Sequence, residues 1–131
     1  MISILVCTNL LLAVMMTEST GRADVRGSHG EVGILQIRQC VVTDINRAYR
    51  ERYKLQDFAG EDGVELSLWA FYAYAQIYRA RTPEQQCKLW NCGPSYKQPG
   101  RQQRAARYWK RVQRWLPAVA GKTLEEVQDE G

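Results

Sequence analysis

Residues 1–19 read MISILVCTNLLLAVMMTES. From Ile2 to about Thr17 the run is apolar on nearly every side: Ile4, Leu5, Leu11, Leu12, Val14 and Met15 leave only Thr8 and Asn9 as polar interruptions. A helix with no polar face is a buried helix. The run lacks a basic flank before it and an A-x-A-like cleavage site after it, so it does not read as a signal peptide. It is too short to span a bilayer. The expectation is a core helix over residues 2–17, ended by Thr20-Gly21. Glu18 closes it. Leu11, Val14 and Met15 lie seven, four and three positions before Glu18, so the carboxyl continues an apolar stripe. Apolar surroundings and a helix C-terminus both disfavour the charged form. A carboxyl that stays protonated near neutral pH is a general acid. Spacing alone equally allows Glu18 to be the first residue to reach water.

Working outward, residues 21–32 read as a polar loop, with room for a small β-hairpin near residues 28–37. A second helix is expected from near Ile34 to Tyr49. "LSLWAFYAYAQIY", Leu66–Tyr78, carries no charge and reads as a central helix, opened by a capping box of Asp62 and Glu65. Thr82-Pro83, with Gln85 following, starts a short helix that ends at Gly93-Pro94. "KQPGRQQ" reads as a loop. "RAARYWKRVQRWL", Arg104–Leu116, is amphipathic, with Ala105, Tyr108, Val112 and Trp115 on one stripe and Pro117 as its stop. The fold class is mainly α. Residues 1–120 form one domain, and 121–131 an acidic, loosely held tail.

The chain has 131 residues, enough for one core, with 45% hydrophobic and 24% charged residues. A net charge of +4 and a pI of about 9.0 favour an anionic partner such as nucleic acid, a membrane surface or cell wall. Cys7, Cys40, Cys87 and Cys92 show no metal spacing, and His29 is the lone histidine, so no metal site is expected. Two disulfides and four buried thiols both fit the count. His29, in "GSHGEVG", reads as an exposed loop residue. The loop is not a phosphate loop, since no Lys-Ser/Thr follows. The basic, aromatic helix at Arg104–Leu116 has the look of a nucleic-acid-binding helix, although a packing helix with a solvated basic face explains the same pattern better.

Four motifs in order are more specific: Glu18-Ser19, then "GILQI" at Gly33–Ile37, "WNCGP" at Trp90–Pro94 and "YWKRV" at Tyr108–Val112. This order resembles the lysozyme-like lytic transglycosylases, enzymes similar in fold to goose-type lysozyme. The likeness covers about residues 5–116. It implies a helical lysozyme-like domain that cuts the β-1,4 bond between N-acetylmuramic acid and N-acetylglucosamine in peptidoglycan. Glu18 would be the catalytic acid and then base, with no cofactor. By the same resemblance Gln36 would line the sugar cleft, Ser19 would orient nearby groups or the substrate, Asn91 would sit at the cleft, and Tyr108 would face Glu18 or the sugar. Their own spacing also allows Gln36 as a helix-start residue, Asn91 as a cap and Tyr108 as core. Most glycosidases need a second carboxylate; Asp24, Glu31 and Asp44 are the nearby candidates, and none is marked as a base. That absence fits the family's closure of a 1,6-anhydro ring. A water held by Asp24 or Glu31 would instead make the enzyme a lysozyme, and an inactive glycan-binding domain is a further alternative. The resemblance implies a monomer in the periplasm or cell envelope, or a phage-delivered enzyme, with peptidoglycan strands rather than nucleic acid as partner. Two departures stand out: Thr20 precedes Gly21 where the family commonly has Gly, and Cys92 follows Asn91 where it has Gly or Ala. Cys87 and Cys92 are close enough in sequence to pair, and Cys7 and Cys40 lie on helices that could pack together.

Overall fold

The computed structural model describes residues 3–130. Six α-helices follow in order: α1 Thr8–Ser19, α2 Gln39–Tyr49, α3 Val64–Tyr78, α4 Pro83–Cys92, α5 Pro99–Val119 and α6 Leu124–Glu130. Among the described residues there is no strand, only isolated bridges joining Arg26 to Val32 and Val32 to Ile37. The expected mainly helical class therefore holds, and the room left for a hairpin near 28–37 is filled by these bridges alone. No helix among the described residues is long and apolar enough to cross a membrane.

α5 is the spine. α1 packs along one part of it and α4 along another, while α2 lies on α3. α1 is buried on most sides, at Leu10 and from Leu12 to Met16. It starts at Thr8, after residues 3–7 that are not helical; the expected start at Ile2 lies outside the described residues. Ile4 lies outside any helix, and its N–H and C=O pair with the amide of Gln76 at 2.7 and 2.6 Å, while the Gln86 amide donates to the Leu5 carbonyl at 2.8 Å. The two glutamines satisfy backbone groups that a helix would otherwise pair. Leu5 is 86% exposed. At the other end Thr20 turns left-handed (φ 53°) and its N–H bonds the Met16 carbonyl, so the helix stops where Thr20-Gly21 predicts.

The second helix begins five residues later than expected. Val32 and Ile37 exchange both backbone hydrogen bonds, at 3.0 and 2.8 Å, and Gln36 sits at φ 53°, which closes a tight turn and delays α2 to Gln39. Gly33 is required there. Its φ is 82°, and a Cβ would lie 2.2 Å from the Phe58 carbonyl oxygen. Asp62 and Glu65 do not form a capping box; Gly63 caps α3 with no side-chain bond, after a 3₁₀ turn at Glu61–Gly63. Gly63 is pressed against the same Phe58 carbonyl, to which Ser67 donates, so close packing sets this start. The box at Thr82 and Gln85 does form and opens α4.

α5 is longer than its pattern at both ends. Pro99 supplies the first turn, where no N–H is needed, and the helix passes through Pro117 to Val119. Pro117 falls in the last turn, where it removes a single intrahelical bond, and the buried Val119 holds the turn in place. The C-terminal segment is not loose. Thr123 and Glu126 cap α6 reciprocally, Val127 is buried in the core, and α6 lies beside Gly21 at the end of α1. All four cysteines are thiols, Cys7 and Cys40 exposed, Cys87 and Cys92 buried.

Candidate active site

Glu18 is half-buried in the last turn of α1. The side chains of its stripe, Val14 and Met15, are in the core. Tyr108, buried at the middle of α5, donates its hydroxyl to Glu18 Oε2 at 2.6 Å. The pair joins residues 90 apart in sequence. Glu18 makes no salt bridge among the described residues. Burial pushes its carboxyl up from 4.5 to about 7. The Tyr108 hydroxyl and the fields of Arg111 and Arg38 pull the other way, and Glu31 adds to the rise. The Tyr108 phenol is raised well above its ordinary range, first by burial and then by the neighbouring carboxyl. Tyr108 is therefore a neutral donor at any working pH. Glu18 is a carboxyl poised between acid and base near neutrality.

The turn that precedes α2 backs this site. Ser19 is buried and donates to the carbonyls of Ile34 (2.7 Å) and Met15 (3.3 Å). It fastens the turn to the end of α1. Gln36 is half-buried, and its amide nitrogen donates to the carbonyls of Gly33 (2.9 Å) and Val25 (3.0 Å). Gln36 is thus neither a helix-start residue nor free; its amide oxygen is the part left to meet a ligand. That oxygen and the Glu31 carboxyl converge over Gly27, where a Cβ would lie 2.7 Å from each. Glu31 also accepts from the His29 N–H at 2.8 Å. His29 itself is exposed.

Asn91 lies in the last turn of α4, half-buried, with its Oδ1 accepting from the Cys92 thiol at 3.2 Å. It makes no hydrogen bond to Glu18. The link runs through Arg38, which donates to the carbonyls of Trp90 (2.5 Å) and Asn91 (3.3 Å) and whose charge reaches Glu18. The structure thus unites Glu18 with Tyr108 directly, with Ser19 and Gln36 through the turn, and with Asn91 only at one remove. Asp24 lies exposed beside Arg22, and Asp44 accepts from Tyr78 (2.6 Å) on the α2–α3 side, so neither is in reach; Glu31 alone is felt by Glu18.

Three neighbours lay outside the sequence reading. Arg111 is one turn after Tyr108, with its guanidinium 5.7 Å from the Tyr108 ring centre; the i, i+3 spacing was the available signal. Arg38, whose charge pulls the Glu18 carboxyl down, and the buried Cys87, whose thiol is pushed up by burial and then by Glu18, had no local signal because both reach the site across the fold. The chain matches no family model, no curated protein and no solved structure.

Proposed function

We propose that this protein cleaves the β-1,4 bond between N-acetylmuramic acid and N-acetylglucosamine in peptidoglycan, without consuming water. One observation carries the reading: a half-buried carboxyl, free of any arginine pair, that is held by a neutral phenol at 2.6 Å and titrates at about 7. The Tyr108 hydroxyl occupies Oε2 and leaves Oε1 for substrate. Protonated Glu18 gives its proton to the glycosidic oxygen as the C1–O bond breaks. The substrate's N-acetyl carbonyl supports the electron-poor C1. The Glu18 carboxylate then takes the proton of the sugar's own 6-hydroxyl, whose oxygen bonds C1 and closes a 1,6-anhydro ring. Glu18 ends protonated, as it began. Ser19 and Gln36 hold the turn beside the carboxyl, and Asn91 lies at the rim behind Arg38. The absence of a match to known families leaves the four ordered motifs and this geometry as the support.

A second reading has its own observation. Glu31 lies near enough to raise the Glu18 carboxyl. A water held by Glu31 would replace the 6-hydroxyl and make the reaction hydrolytic.

Mass analysis of muropeptides released from purified peptidoglycan decides between them. The expected product is lighter by one water than the hydrolytic one. Glu18→Gln is expected to reduce release by at least about 10³-fold while leaving binding to peptidoglycan in place. The rate should fall as pH rises through about 7, because the neutral acid is lost. Hydrolytic product favours the Glu31 route. No product from wild type, with retention on peptidoglycan, marks a glycan-binding domain, and retention on DNA alone marks a nucleic-acid-binding one.

A further inference from the structure

The last turn of α4 ends in carbonyls that no backbone N–H among the described residues reaches. The Gly93 N–H returns to the Leu89 carbonyl at 2.8 Å, and Pro94, next in the chain, has no N–H to give. The carbonyls of Trp90, Asn91 and Cys92 are met instead by two arginines from different helices. Arg38, at the N-cap of α2, divides its fork: one nitrogen donates to the Trp90 carbonyl (2.5 Å) and another to that of Asn91 (3.3 Å). Arg101, in the first turn of α5, donates to the Cys92 carbonyl (3.2 Å). A cation suits the negative end of a helix, and the planar fork lets one side chain serve two acceptors. Trp90 answers in the other direction. Its indole N–H donates to the Leu35 carbonyl at 3.2 Å, in the turn whose Ile34 carbonyl takes the Ser19 hydroxyl. Neither arginine enters a salt bridge among the described residues, so no acid cancels the charge of Arg38.

We infer that Arg38 is a positioning residue of the candidate site: it clamps the end of α4, and with it Asn91, to the turn behind Glu18, and it holds an unpaired positive charge beside that carboxyl. The inference rests on the proposed function for what the site acts on, and on the bonds above for how the site is built. The Trp90 ring packs on Phe71 and Tyr74 of α3, with ring centres 5.1 and 5.9 Å apart, so α4 stays docked without Arg38 and its last turn alone is released. That turn carries Asn91 and the buried Cys92, whose thiol donates to the Asn91 side-chain oxygen. Protection of Cys92 therefore reports the clamp. The charge acts separately. Glu18 is faced by Tyr108 and Arg111 from α5, by Arg38 from α2, by Glu31 from the loop before the turn and by Cys87 from α4. When the acid gives up its proton it becomes an anion in a half-buried place, and Arg111 and Arg38 are the cations that favour that anion. Of the two, Arg38 is the one fixed by hydrogen bonds, so the fold sets its distance from the carboxyl.

The test compares the whole wild-type chain with Arg38→Met, which loses charge and fork, Arg38→Lys, which keeps the charge without the planar fork, and Arg101→Gln. The alkylation rate of Cys92 is followed by peptide mass spectrometry. The titration of Glu18 is followed by carboxyl ¹³C NMR, with Glu18→Gln to assign the signal. Cys92 is expected to react at least about tenfold faster in Arg38→Met than in wild type, with part of the protection restored in Arg38→Lys. Glu18 should titrate higher in Arg38→Met than the wild-type value of about 7, and close to that value in Arg38→Lys. Under the proposed reaction, the fall in muropeptide release with rising pH shifts upward with it. Arg101→Gln should speed Cys92 and leave the Glu18 titration in place, since Arg101 is not among the groups that face Glu18. Wild-type reactivity of Cys92 in Arg38→Met overturns the inference, as does a Glu18 titration that is unmoved there or rises equally in Arg38→Lys. If Arg38→Met does not fold, the other two variants decide: Cys92 protected as in wild type in both, or a raised Glu18 titration in Arg38→Lys, overturns it. Failure of the proposed function reads differently: wild type then releases no muropeptide, while Cys92 and Glu18 respond as described.

Discussion

Glu18 is kept neutral by its position, and the fold bears a cost for that. In the unfolded chain its carboxyl ionises near the ordinary 4.5, and in the folded chain near about 7. Between those values the folded state holds a proton that the unfolded state has lost. Stability therefore falls as pH rises through this window, and the penalty is complete above it. The size is about 3 kcal/mol. Glu18→Gln removes this titration while still offering an acceptor to Tyr108. The variant should gain on wild type in Tm between about pH 4 and about pH 8. A Tm difference that stays constant over that range would mean the carboxyl is not held neutral. The carboxyl's elevation was legible in the sequence from the apolar stripe before it. Its partner was named only by the resemblance, which left Tyr108 facing either Glu18 or the sugar, and not by the spacing of the residues. Tyr108 sits on a buried stripe where any aromatic would fit, and only the crossing of α1 and α5 reveals that the hydroxyl meets Glu18.

Among the elements, the turn at Gly33–Ile37 departs most from its sequence reading. Its residues Ile34, Leu35 and Ile37 are apolar in a pattern that a helix and a tight turn share. The deciding facts are tertiary: the Phe58 carbonyl against Gly33, and the Gln36 amide spanning Val25 and Gly33. Gly33→Ala places a methyl where that carbonyl already lies, at a backbone angle that alanine disfavours. It is expected to cost at least about 2 kcal/mol in chemical denaturation. Because Ser19 bonds the Ile34 carbonyl, displacement of this turn should also disturb the end of α1, and the proposed cleavage should fall more than stability alone explains. Helix starts with an explicit local signal, such as Thr82-Pro83, were legible. Starts set by packing, such as Gly63, and the reach of α5 through Pro117 were not.

At the scale of the whole molecule, one core draws on all six helices, from Leu10 in α1 to Val127 in α6. The mainly α class followed from periodicity and from two helices too apolar to be anywhere but inside. The role of the C-terminal segment did not follow, since its acidic surface hid a single apolar anchor. Val127→Ala should cost about 1–2 kcal/mol if α6 is part of the cooperative unit. An unchanged denaturation midpoint would detach α6 from it.

The sorting of the four thiols, two outside and two inside, turns the chain into its own reporter of opening. An alkylating reagent added to the native protein should consume Cys7 and Cys40 at once. Cys87, near enough to Glu18 to feel its charge, and Cys92, bonded to Asn91, are buried, so each becomes reachable only when the walls of the candidate site part. The lag between the second and third mass increments then measures how often that region breathes.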